Sequence, residues 1–377
     1  MARFHFAAPG EAQNVLLRCT AGHVQMLRHS TEVIASNAPT LMDAPDWYGD
    51  FVVAWSGIAT RAQSWSDAIV PQLNVIPQMV ADFGKSYLAS SDAMQGLLDK
   101  LVAQPNDKQA REALKSEIEE LLRQATNSVA ILGSFRLQLG NLADHIGPDR
   151  QTLLDAVASA ENAIRSDLQQ VNTTSNRIST LKDQVKDLEL QLGLGSVVPA
   201  VGGLVLMVMG VALLMSPGTA GIYTAIAVAS ITIGAASAAL GIYRTVMLSK
   251  EISKLKDEIA ADVILMSSLQ SQALQLKVFD QTVTDLVNAT ANSSSVMADV
   301  LSAWSALAAD AQALQADLES AEKDLDAGAI AALRKDLQAG ADHWAQVQPL
   351  AAGLAAITVT VDPQPRSADG EPLSTSP

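Results

Sequence analysis

The chain has 377 residues, enough for one elongated domain or for two or three compact ones. It is 49% hydrophobic but only 4% aromatic, with alanine, leucine and valine carrying the apolar load, which favours long packed helices over sheets. Against 25 lysines and arginines stand 40 aspartates and glutamates, a formal charge of −15 that excludes binding by neutralising nucleic-acid phosphates, and the single Cys19 excludes an intrachain disulfide.

Residues 1–45 carry Pro9, Pro39 and Pro45 around a first predicted helix, Glu11 to Val33. The opening MARFHFAAPGEAQ lacks the apolar run and small-residue cleavage site of a secretory signal, so any release is expected to proceed without a cleavable peptide. From Trp47 to Leu101 the pattern reads as helix broken near Pro71 and Pro77, with Trp47, Trp55 and Trp65 as core anchors. A hydrophilic stretch, Gln104 to Lys108, precedes a helix from Gln109 to Ile146 that Gly147 and Pro148 are expected to stop.

The next segment, Asp149 to Leu192, is a long helix in which Ile164, Val171, Ile178, Val185 and Leu192 recur every seven residues. Beyond residue 243 the period returns in Ile252, Ile259, Met266 and Ala273, with Leu255, Leu269, Leu276 and Val283 as the second set, in a helix expected to reach Asn292. Two rods leading into and out of one hairpin are expected to pack antiparallel. After a weak break at Ser293 to Ser295, Met297 to Gly340 reads as helix hinged near Gly328, and Ala356 to Val361 is a candidate strand. The proline-rich tail 362–377 is expected to be disordered.

Between Glu189 and Arg244 lie 54 consecutive uncharged positions, where a charged fraction of 17% leads one to expect a charge about every six residues. A hydrocarbon environment excludes ions most severely. The stretch divides into two apolar blocks of about 20 residues, the length a helix needs to cross a bilayer, joined by Ser216, Pro217, Gly218 and the residues up to Gly221. With no charge at its tip, such a hairpin enters lipid from one side while Lys182, Lys186, Arg244, Lys250 and Lys254 hold its feet in water.

The candidate membrane-insertion residues of the first block are Val197, Val198, Leu204, Val205, Leu206, Met207, Val208, Met209, Val211, Leu213, Leu214 and Met215. Those of the second are Ile222, Tyr223, Ile226, Val228, Ile231, Ile233, Leu240, Ile242 and Tyr243. Gly203 with Gly210, and Ser230 with Gly234 and Ala238, have the spacing of small-residue stripes that bring membrane helices together. The β-branched residues near Ile226 to Ile233 also permit a two-stranded tongue; helices are the expectation, because the blocks exceed ordinary strands in length.

The heptad helix 149–192, the apolar hairpin 196–243 and the returning helix 244–292 together resemble the α-helical pore-forming toxins of the cytolysin A and haemolysin BL type, including the binary Xax/Yax-type cytotoxins. The resemblance implies an all-α fold: an elongated bundle of long antiparallel helices as tail, formed by 1–195 and 244–361, and a hydrophobic helical hairpin or tongue, 196–243, as head. It implies a protein that is soluble first, then meets target-membrane lipid, inserts the hairpin and self-associates into a pore, with or without a second toxin component. The alternatives are a hydrophobic translocator of a secretion system and a membrane-anchored coiled-coil scaffold.

An enzyme is not expected, nor any cofactor or metal. His5, His23, His29, His145 and His343 are scattered, no HExxH or GxSxG motif occurs, and Gly193, Gly195, Gly202 and Gly203 lack the strand context of a nucleotide-binding turn.

Overall fold

The computed structural model describes residues 9–36, 38, 44–69, 75–164, 168–193, 206–214, 225–233, 249–320, 327–356 and 359–366. Eight helices carry most of these: α1 Pro9–Ala35, α2 Tyr48–Ile69, α3 Val75–Ala103, α4 Lys108–Ile164, α5 Leu168–Gly193, α6 Lys250–Ile264, α7 Ser268–Ser320 and α8 Ala327–Ala355. Three strands complete the description: β1 Leu206–Leu214, β2 Ala225–Ile233 and β3 Val359–Arg366. The chain divides into two compact units, one of Met1–Ala21, Gln72–Leu139 and Ser293–Ala356, the other of Gly22–Pro71, Gly140–Asn292 and Ile357–Pro377.

The first unit is organised by α3 and α8. Down α3 the partners on α8 climb the other way: Ser91 Oγ donates to the Leu337 carbonyl at 3.4 Å, Gln95 Nε2 to that of Arg334 at 3.1 Å, and Arg334 Nη2 pairs with Asp99 at 2.6 Å. The two helices are therefore antiparallel. Between them sits an aromatic core in which Phe83 meets Trp304 and Trp344, both at 5.0 Å between ring centroids. Trp304, Trp344 and Tyr87 are fully buried. The fit needs two glycines: a Cβ on Gly340 would stand 2.0 Å from the Tyr87 hydroxyl, and one on Gly84 2.9 Å from the Trp344 ring.

In the second unit most heptad residues do what their spacing predicts, but Leu269, expected on the packing stripe, is 52% exposed beside the break at Leu265 to Ser267. Ile164, Val171, Ile178, Leu181 and Val185 form one core with Ile252, Ile259, Val263, Met266, Ala273 and Leu274. Helices α5 and α6 run antiparallel, Gln170 Nε2 and Thr174 Oγ1 meeting Asp262 and Arg177 bridging Asp262 to Glu258. Trp55 stacks on Phe279, and Arg61 Nη2 holds Asp149 at 2.6 Å. Trp55 and Trp65 are buried as expected of anchors, while Trp47 is half-buried.

Several boundaries depart from expectation. Pro148 does not stop its helix but lies inside α4. It forfeits one hydrogen bond, yet Leu139, Leu142, Ile146, Leu153 and Ala156 continue one buried stripe across it, and that burial outweighs the roughly 3 kcal/mol penalty. The 149–192 rod is accordingly divided between the end of α4 and α5. The returning rod breaks at Leu265 to Ser267, where the Ser267 hydroxyl caps α7 by accepting from the Gln270 amide. Helix α7 then passes unbroken through Ser293 to Ser295, with Val296, Met297 and Val300 buried. Pro77 falls in the first turn of α3, where its missing N–H costs nothing, and Pro71 lies outside the described residues.

The apolar blocks, expected as helices, are strands where they are described: β1 and β2 pair antiparallel in unbroken register from Leu206↔Ile233 to Leu214↔Ala225. Gly210 and the β-branched Val208, Val211, Ile226, Val228, Ile231, Thr232 and Ile233 are poor helix residues in water, and an extended hairpin suits them. The tail is corrected too: β3 runs to Arg366, five residues into the stretch expected to be disordered, and pairs with the free side of β2.

Candidate functional site

The three strands form one sheet in the order β1-β2-β3, and β1 lies against α5. Of the residues singled out for insertion, Leu206, Met207, Val208, Met209, Val211, Leu213 and Leu214 lie on β1 and Ile226, Val228, Ile231 and Ile233 on β2. The register sets Val208 opposite Ile231 and Val211 opposite Val228. Val197, Val198, Leu204, Val205, Met215, Ile222, Tyr223, Leu240, Ile242 and Tyr243 lie outside the described residues, as do the turn residues Ser216, Pro217 and Gly218.

Of the small-residue stripes only Ser230 and Gly210 are among the described residues. Ser230 lies on β2 opposite Met209 and Gly210 on β1 opposite Ala229, so a four-residue or seven-residue helical spacing aligns nothing on them. Gly203, Gly234 and Ala238 lie outside the described residues.

The third strand overlaps the candidate strand Ala356 to Val361 at Val359 to Val361 and continues to Arg366, into the stretch expected to be disordered. Its pairing places Asp362 opposite Ser230 and Arg366 opposite Val228, so two ions stand on the edge of a sheet whose other two strands have none. Pro363 and Pro365 were the reason for reading disorder. Both fit an edge strand, where a proline's missing N–H need not break a ladder on each side.

The same unit contains a charged cluster between α1, α5 and α7, lining a cavity of about 260 Å³ with Arg28, His29, Glu32, Lys182, Lys186 and Asp285. Burial alone would raise the Glu32 carboxyl, but Lys182 Nζ at 3.5 Å and His29 Nδ1 at 3.1 Å hold it down at about 2. On α1, burial pushes the His23 imidazole down to about 4 and the Cys19 thiol up to about 12, which leaves Cys19 an inert core residue. His343 is buried and His145 sits on an exposed helix surface. Among the described residues no three histidines, cysteines or carboxylates gather as a metal site, and no helix is long and apolar enough to cross a membrane.

No protein-family model matches the sequence, and no curated protein matches it. Solved structures do. The soluble AhlB component of the tripartite α-pore-forming toxin AHL from Aeromonas hydrophila is 15% identical and superposes over 97% of this chain and 95% of its own with a TM-score of 0.66. The cytotoxin MakB from Vibrio cholerae is 13% identical, over 94% of each chain, with a TM-score of 0.68. Soluble SmhB of the tripartite α-pore-forming toxin Smh from Serratia marcescens is 13% identical, over 92% of each chain, at 0.65. At these identities the likeness establishes architecture: over nearly its whole length this chain has the fold of α-pore-forming toxin components in their soluble form.

Proposed function

We propose that the chain is an α-pore-forming toxin or toxin component that carries the 196–243 segment folded in water and delivers it to a target membrane. The observation that carries this reading is the 54-residue stretch without an ion, whose described strands β1 and β2 pair as an antiparallel tongue within a fold shared with toxin components. In water the tongue is extended and paired; at a bilayer, lipid chains replace its protein cover at little cost, because both are apolar.

The sheet does not enter lipid as it stands. Among the described residues its outer strands pair on one side only, and hydrocarbon tolerates no unpaired N–H or C=O along the other. The segment therefore either closes with other copies or converts to helices, for which each block of about 20 residues has the required length. One hairpin encloses no water, so a pore requires self-association, alone or with a second component as in the tripartite systems of AhlB and SmhB. The reading places the protein outside its producing cell and then at the target-cell membrane, and assigns it no catalysis.

The test is a charge in each arm, Val205→Asp with Ile231→Asp. The variant is expected to keep its helical circular dichroism and to lose alkaline-resistant retention on phosphatidylcholine vesicles, together with any dye release. Equal retention of variant and parent rejects insertion of this segment.

A further inference from the structure

The third strand has no counterpart in the insertion reading, and its chemistry conflicts with that reading if it stays where it is. Strand β2 is joined to β1 through nine consecutive paired positions. To β3 it is joined through five, with a register shift between Val228 and Ser230. Pro363 and Pro365 contribute no N–H to that second ladder. The sheet is therefore two strands firmly paired and a third held by less.

Charge makes the same division. Strands β1 and β2 lie wholly inside the uncharged stretch, whereas β3 carries Asp362 and Arg366 into register with the middle of β2. If β2 moved into hydrocarbon with β3 attached, both ions would go with it, and nothing in an acyl interior offers either of them water. If β3 stayed, the edge of β2 would be released with its row of backbone groups, ready for a new partner.

Chain connectivity supports separation. Strand β3 follows directly from α8, which ends at Ala355, and α8 belongs to the unit that lacks the tongue. The strand is thus tied to a helix packed along α3 and not to either arm of the hairpin.

Resting on the insertion reading, we infer that β3 is an autoinhibitory strap: it covers the β2 edge in water, holds the tongue in its extended form, and must unpair before the tongue enters lipid. Its two prolines have a second effect, since an edge strand without a full set of N–H groups is a poor template for adding another chain. The strap so keeps soluble copies from joining sheet to sheet.

The test uses the full chain, in buffer and on vesicles of phosphatidylcholine and phosphatidylethanolamine. In hydrogen exchange, the Val359 to Val361 amides are expected to be protected in buffer and to lose protection on vesicles while those of α8 keep theirs. Protection of Val359 to Val361 that persists on chain retained by vesicles overturns the strap. A covalent version pairs Ile231→Cys with Val361→Cys or, one register step away, Thr232→Cys with Thr360→Cys, because adjacent antiparallel pairs differ in how closely their Cβ atoms approach.

Whichever disulfide closes, the oxidised protein is expected to lose alkaline-resistant retention and to regain it on reduction. Retention of the oxidised form, or no recovery on reduction, counts against the strap, and failure of both pairs to close overturns the pairing itself. A parent chain that vesicles never retain defeats the insertion reading and the strap with it. A retained parent beside a retained oxidised variant defeats the strap alone.

Discussion

The two compact units solve the problem of a core differently. In the unit built on α3 and α8, Phe83, Tyr87, Trp304 and Trp344 interlock over Gly84 and Gly340, and the buried polar side chains among the described residues are serines and His343. In the unit that carries the tongue, aliphatic heptad residues and the rings of Phe51, Trp55, Trp65 and Phe279 share the interior with Arg28, Glu32, Thr174, Gln270, Gln275 and Thr282. Both units bury aromatic rings, but among the described residues only the unit with the tongue buries ions, and buried ions are stable only while every partner stays in place. The unit without the tongue is thus suited to remain folded through a transition, and the unit with the tongue holds interactions that one displaced helix would undo.

Three substitutions sharpen this contrast. Trp344→Ala should cost about 4 kcal/mol, read from the urea midpoint, because a fully buried ring leaves a cavity that Gly84 cannot fill. A loss below about 1 kcal/mol would mean the aromatic cluster is not the core of its unit.

Next in size is Lys182→Met, which takes the lysine charge from the buried Glu32 carboxylate, leaves it with His29 and Arg28, and should cost about 3 kcal/mol near neutral pH. Adding Glu32→Gln should restore most of that loss, since a neutral amide needs no counter-ion. A double variant as unstable as the single one would show that Lys182 acts by packing and not by charge. The parent pair also has a pH signature. Because the folded Glu32 carboxyl sits at about 2, below its ordinary 4.5, its contribution is complete above the higher value and is lost as pH falls towards the lower one.

The smallest effect concerns His23, whose imidazole is pushed from 6.5 to about 4 by burial. The folded state resists the proton that the unfolded state accepts, so stability is full above the unfolded value and falls as pH drops from there towards the folded one. Between pH 7 and pH 5 the loss from this group is about 2 kcal/mol. In His23→Gln the thermal midpoint should fall less over that interval than in the parent, and an identical fall would remove His23 from the account.

What was legible in the sequence followed from repetition. Ile164 to Val185 and Ile252 to Ala273 predicted their shared core because each position was supported by others seven residues away. The charge-free stretch was legible through its length, 54 positions without an ion. It did not announce its conformation, since lipid and a folded sheet exclude ions alike and only a period separates helix from strand.

Pro148 and the part of β3 from Asp362 to Arg366 were misread for a common cause. A proline shows locally what it forbids, while the burial that carries α4 past it and the neighbouring edge that accepts β3 belong to distant parts of the chain. Trp304 and Trp344 were passed over likewise, because their partners Phe83 and Gly84 lie more than 200 residues earlier.

The central claim is that the tongue exchanges protein for acyl chains while the α3 and α8 unit stays in water. It is tested most directly by two single-cysteine variants, Met209→Cys on β1 and Leu137→Cys on α4, each labelled with an environment-sensitive fluorophore and mixed with vesicles bearing a quencher in the lipid tails. Leu137 is exposed, and Cys19 is buried and should stay unlabelled. The account predicts strong quenching at position 209 and none at 137; vesicle-bound protein with position 209 unquenched would contradict it.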